Sequence, residues 1–221
     1  MTCELSFGCT GVRGDPYAAG PTLMFRLRIG TGDPATRVHA LVLRCQLRIE
    51  PARRSYDDRE AEGLNDLFGD RARWGTSLNP VQLAQVPLMV PGFTGSTEVE
   101  LPVPCTYDLD IAATRYLAAL QGGDVPLRML FSGSAFTGDG GFRVEPVPWH
   151  KETEVRLPVR VWREMMAQHF PGCGWLRLPQ EAMDDLLAYR SRHGLTSWED
   201  TVRSLLERAQ AAPLTVDGGA R

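Results

Sequence analysis

Apolar and polar residues alternate with a period of two along most of the first 150 residues. Leu23, Phe25, Leu27 and Ile29 alternate with Met24, Arg26 and Arg28. Leu41, Leu43, Cys45, Leu47 and Ile49 alternate with mostly polar Arg44, Gln46, Arg48 and Glu50. In a third run Val99, Leu101, Val103 and Cys105 share one side, and Glu98 and Glu100 take the other. Successive strand side chains point to opposite faces, so each run predicts a strand with one buried and one wet face. Segments 3–7, 81–90, 125–131 and 142–147 are less regular strand candidates. Short strands separated by Gly/Pro turns predict an antiparallel β-sandwich. Two stretches at helical spacing, 57–68 and 110–120, end at Gly69 and at Gly122-Gly123 and predict short inserted helices.

After Pro148 the period changes to 3.6. Val159, Trp162, Met166 and Phe170 space one helix, and Ala182, Leu186 and Tyr189, behind Pro179, space a second. Thr196-x-x-Glu199 reads as a capping box ahead of the stripe Trp198, Val202, Leu205, Leu206 and Ala209. The last two helices should bury Leu186, Tyr189, Trp198, Val202 and Leu205. The fold class is therefore α+β: an antiparallel β-sandwich with short inserted helices, followed by a C-terminal helical region. The expected boundaries are a β-sandwich domain over 1–150, a helical domain over 151–211 and a flexible tail over 212–221.

Composition narrows the function classes. The 221 residues are 43 % hydrophobic and 23 % charged, which fits a globular chain and excludes collagen, coiled coil and wholesale disorder. No apolar run reaches the length that spans a bilayer, and Met1-Thr2-Cys3-Glu4 does not open a secretory leader. A net charge of −3 offers no global basic field, so neither nucleic acid nor a membrane is expected as a partner. Five widely spaced cysteines without C-x-x-C read as reduced thiols and a cytoplasmic chain.

Four arginines are the candidate interaction surface. Arg26, Arg28, Arg44 and Arg48 stand on the outward sides of two strands, and pairing of those strands would gather them into an anion-binding patch. Glu98 and Glu100, outward on a third strand, would instead neutralise them. Cys105 alternates with Val103 and therefore points inward, as a small hydrophobe and not a nucleophile. His150-Lys151-Glu152 lacks the further ligands a metal needs, because His39, His169 and His193 are scattered. No catalytic, cofactor-binding or metal-binding residue is assigned. Residues 175–210 order a short strand and two helices as ribbon-helix-helix regulators do, with Trp175 and Arg177 on the strand. Their five Arg against six Asp/Glu disfavour DNA and favour a helical hairpin.

Three strings carry a resemblance: Val103-Pro104-Cys105-Thr106-Tyr107-Asp108, Phe131-Ser132-Gly133, and Val147-Pro148-Trp149-His150 followed by Leu157-Pro158-Val159 and Trp162-Arg163-Glu164-Met165-Met166. From about Leu23 to Leu206 the chain resembles a bacterial family of unknown function, from high-GC bacteria, whose genes tend to accompany those of [NiFe]-hydrogenases. That resemblance implies a cytoplasmic accessory or assembly protein and transfers no catalytic residue. The expected function is a non-catalytic accessory or protein-interaction protein, in [NiFe]-hydrogenase assembly or maturation, with a protein partner and no cofactor. The alternatives are a small-ligand or metal-handling protein and a ribbon-helix-helix-like DNA-binding regulator.

Overall fold

The computed structural model describes residues 4–105, 111–138, 143–172 and 178–211. Its strands are β1 (Leu5–Gly14), β2 (Thr22–Thr31), β3 (Arg37–Ile49), β4 (Val81–Thr94), β5 (Ser96–Pro104), β6 (Asp124–Thr137), β7 (Arg143–Pro146) and β8 (Glu152–Pro158). All pairings are antiparallel. One sheet has the order β1-β2-β5; the other runs β4-β3-β6, with β7 and β8 both against β6. The fold class expected from the alternation is the one found.

The inward sides of both sheets fill one core. Leu23, Phe25, Leu27 and Ile29 of β2 and Leu41, Leu43, Cys45, Leu47 and Ile49 of β3 are buried in it, with Leu101, Val103 and Cys105. Phe7 of β1 stacks on Phe131 of β6 with ring centroids 4.3 Å apart, joining the two sheets across the core. Burial pushes the Cys45 and Cys105 thiols up to about 12. Both should therefore resist a thiol reagent in the native protein at pH 8, where mass spectrometry of the adducts would locate the label. Rapid modification of either would contradict this packing.

The same thiols set an alkaline limit. Their pKa is raised above the ordinary value of 9.0, so the native state keeps protons that the unfolded chain releases. This contribution is complete below pH 9 and is lost as pH rises toward about 12. Two such protons steepen the loss of stability by about 2.7 kcal/mol per pH unit. Urea unfolding should be flat in this respect near pH 8 and take on that slope from above pH 9 to 11, and a flat profile over the whole range would refute it.

The helices of the first region are α1 (Asp58–Gly63), α2 (Asn65–Phe68), α3 (Trp74–Ser77), α4 (Ile111–Ala119) and α5 (Val159–His169). The expected helix over 57–68 is two pieces, with Leu64 between them as a buried core residue. Asp57 caps α1 by accepting from the Glu60 amide at 2.8 Å. A buried ion pair ties this region together. Arg54 Nη2 donates to Glu60 Oε1 and to the Gly122 carbonyl, each at 2.7 Å, and the Gln121 amide donates to the same Glu60 oxygen. Beside it Tyr56 Oη donates to the Pro51 carbonyl at 2.8 Å, leaving Tyr116 Oη to donate to Tyr56 at 2.7 Å. Burial raises both phenols.

The chain divides into two compact units, Met1–Cys173 and Gly174–Arg221. The boundary expected at 150/151 thus falls inside the first unit. The reason is β8, whose Thr153, Val155 and Leu157 alternate with Glu152, Glu154 and Arg156 and which pairs with β6 from Leu130 to Asp124. Helix α5 follows directly and buries Val159, Trp162 and Met165. The second unit, described by itself, holds α6 (Gln180–Arg192) and α7 (Trp198–Ala211). Its cap is Ser197-x-x-Asp200, one residue after the expected box: the Asp200 amide donates to Ser197 Oγ at 3.0 Å, and Ser197 Oγ donates to Asp200 Oδ2 at 2.6 Å. The expected burial of Trp198 and Val202 is not met, since both are exposed. Trp175, Arg177 and the tail over 212–221 lie outside the described residues. Among the described residues no helix is long and apolar enough to cross a membrane.

Candidate interaction surface

The four arginines separate. Arg26 and Arg28 are on β2 and Arg44 and Arg48 on β3, strands of different sheets whose inward neighbours share the core. Their outward sides therefore point away from each other, and the single patch that strand pairing would have made does not form. Arg28 meets its cross-strand partner Glu98 at 2.8 Å. Glu100 stands opposite Arg26 in the register, yet both of its oxygens accept from Arg13 Nη2, at 2.9 and 3.0 Å. Exposed pairs of this kind contribute about 0–1 kcal/mol each.

Register turns the outer face of the larger sheet into a map. Crossing from β4 through β3 and β6 to β7, one row reads Pro91, Ala40, Phe136 and Val144. The next reads Met89, Val42, Ser134 and Pro146. Then comes Pro87, Arg44 and Ser132, and after it Gln85, Gln46, Leu130 and Glu152. The last row places Arg48 and Arg128 beside Glu154. One end of this face is apolar and the other is charged. At the charged end Arg128 reaches Glu50 at 3.3 Å and Glu152 at 3.5 Å, and Arg53 pairs with Glu154. The Arg53 hydrogen bond holds the Glu154 carboxyl below its ordinary range. Arg48 donates to Gln46 at 3.1 Å. Of the four candidates, Arg44 alone borders the apolar rows.

Among the described residues of the first unit, side chains at the apolar end stand exposed. Met89 is 73 % exposed, and Val42 and Val144 are also exposed. Pro87 and Pro91 lie on β4, an edge strand, where proline withholds donors from strand addition. A partner at this end would therefore meet side chains.

A bulge adds an aromatic beside these rows. The Val147 amide donates to the Gly133 carbonyl and the Phe131 amide to the Lys151 carbonyl, both at 2.9 Å, so 147 and 151 still pair with β6. Pro148, Trp149 and His150 loop out between them, closed by the Lys151 amide on the Pro148 carbonyl at 3.0 Å. Trp149 is 88 % exposed and meets the His150 ring in an edge-to-face contact with centroids 5.9 Å apart. The bulge leaves the strand at the level of Ser132 and Arg44. The sequence pattern assigns Trp149 no role; the signal that marks it is the Pro after Val147, which breaks the alternation between two β runs.

A separate cavity of about 360 Å³ opens where β1 and β8 pass, lined by Cys9, Thr10, Arg53, Leu127, Glu154 and Arg156 among others. Its Cys9 thiol is raised by burial and donates to the Gly11 carbonyl at 3.5 Å. Among the described residues no group of three or more His, Cys, Asp or Glu could hold a metal ion.

Residues 1–213 match the profile of a family of unknown function (DUF6084). No curated protein matches the chain. Solved structures with some likeness include a late embryogenesis abundant (LEA) protein, 11 % identical over 70 % of this chain and 71 % of that one, with a TM-score of 0.35. A β-glucosidase from Kluyveromyces marxianus is 8 % identical over 70 % of this chain and 15 % of that one, with a TM-score of 0.22. A bacterial adhesin from Mobiluncus mulieris is 13 % identical over 68 % and 52 %, with a TM-score of 0.24.

Proposed function

We propose, for a chain that belongs to this family of unknown function, a non-catalytic accessory role in which the apolar end of the larger sheet's outer face binds a protein partner. The observation that carries it is the gathering of exposed Val42, Met89 and Val144 in adjacent rows, with Trp149 on the flanking bulge. Scattered exposed apolar residues are ordinary, but a contiguous group rimmed by charge marks an interaction site. Trp is also the side chain that most often anchors an interface. Arg44, at the border, supplies a charged contact at the rim.

The setting we propose is the cytoplasm and the assembly or maturation of a [NiFe]-hydrogenase. Its support is the resemblance of the three sequence strings, together with the buried, unpaired thiols of Cys45 and Cys105. The small-ligand alternative is supported by the cavity beside β1 and β8.

Affinity capture from host lysate tests the reading. The tagged chain should retain a defined partner that a Met89→Asp/Trp149→Ala variant loses, while Arg28→Gln, on the other sheet, keeps it. Equal capture by both variants would overturn the assignment of this face.

A further inference from the structure

Neither helix of the second unit buries an apolar side chain; among the described residues Thr201 is the one buried there. Trp198, Val202 and Leu206 are instead exposed along α7, Leu206 at 57 %. At about 100° per residue these three fall in one stripe about 80° wide. Arg190 of α6 lies over the Trp198 ring at 4.4 Å, leaving part of that ring open. A stripe of this kind on a two-helix unit requires a cover, because such a unit alone buries too little to hold its helices.

We propose that the cover is a second copy of the chain, with the two α7 helices packed antiparallel and Val202 at the centre of the contact. Trp198 of each copy then lies against Leu206 of the other, and the stripe is complementary to itself, as a two-fold interface demands. Charge selects this arrangement. Glu199 and Arg203 flank the stripe on one side and already pair as an i,i+4 ion pair. Antiparallel packing about Val202 brings Glu199 of each copy within one helical turn of Arg203 of the other. The four charges then alternate in sign around the contact. Three apolar side chains per copy make a small interface, below the usual size of stable ones, so the dimer should be of micromolar strength.

Sedimentation velocity of the full chain between about 1 and 200 µM should show a reversible monomer–dimer equilibrium with a dissociation constant in that range. Val202→Glu should weaken it by about 100-fold or more. Arg203→Glu and Glu199→Arg should each weaken self-association, and mixing the two variants should restore it as a heterodimer. The charge pair keeps the test sharp if Val202→Glu lowers the helix content by circular dichroism. A wild-type chain that stays monomeric throughout, as it would if its own residues covered the stripe, overturns the proposal. So does a dimer that all three variants leave unchanged.

Discussion

Alanine in place of Gly133 should lower stability by about 3 kcal/mol or more. Gly133 has φ 144°, which side-chain-bearing residues rarely adopt. An added Cβ would also stand 2.0 Å from the Val42 carbonyl oxygen and 3.0 Å from the Leu43 Cα. Those atoms belong to the paired strand β3, so the clash meets backbone and cannot be relieved by a rotamer change. Gly133 also accepts the Val147 amide where the Trp149 bulge begins. A folded Gly133→Ala chain should therefore lose partner capture along with stability. Urea unfolding checks the first effect; a shift below about 0.5 kcal/mol would contradict the geometry.

Arg54→Ala should cost about 3–5 kcal/mol, because it strands a buried carboxylate. The Arg54 and Glu60 side chains are 10 % and 5 % exposed, and the same Glu60 oxygen that Arg54 holds also caps the Gln121 amide. Removing Arg54 leaves the Gly122 carbonyl without that donor as well. The double change Arg54→Met/Glu60→Leu should recover much of the loss, since replacing both charges by apolar groups removes the desolvation penalty. Thermal and urea unfolding of the three variants would test this. Equal destabilisation by the single and double changes would show that hydrogen bonding, and not the unpaired charge, dominates.

The sheets were legible where one face is buried and the other wet. β2 carries four inward positions at period two and β3 five, and every one of them is buried. Strand β1 extends to Gly14, past the expected 3–7, because Gly8, Gly11 and Gly14 contribute no side chain to the alternation. Strand β8 carries the period-two signal over Glu152–Pro158, but the helix that follows at once masks it. Which strands pair was not legible. Alternation places Arg26, Arg28, Arg44 and Arg48 outward, but it does not say that β2 and β3 belong to different sheets. The candidate patch was therefore divided by topology, and the apolar rows arose from cross-strand neighbours far apart in sequence, such as Val42, Met89 and Val144. Trp149 escaped because a bulge, not a strand or helix, presents it.

The central claim, that the apolar end of the larger sheet binds a protein partner, is tested most directly by site-specific photo-crosslinking in the native host. A photoreactive side chain at Met89 or Val144 should join the chain to one partner, and the same side chain at Arg28, on the outer face of the smaller sheet, should not. Crosslinks to that partner from Arg28 but not from Met89 and Val144 would contradict the account.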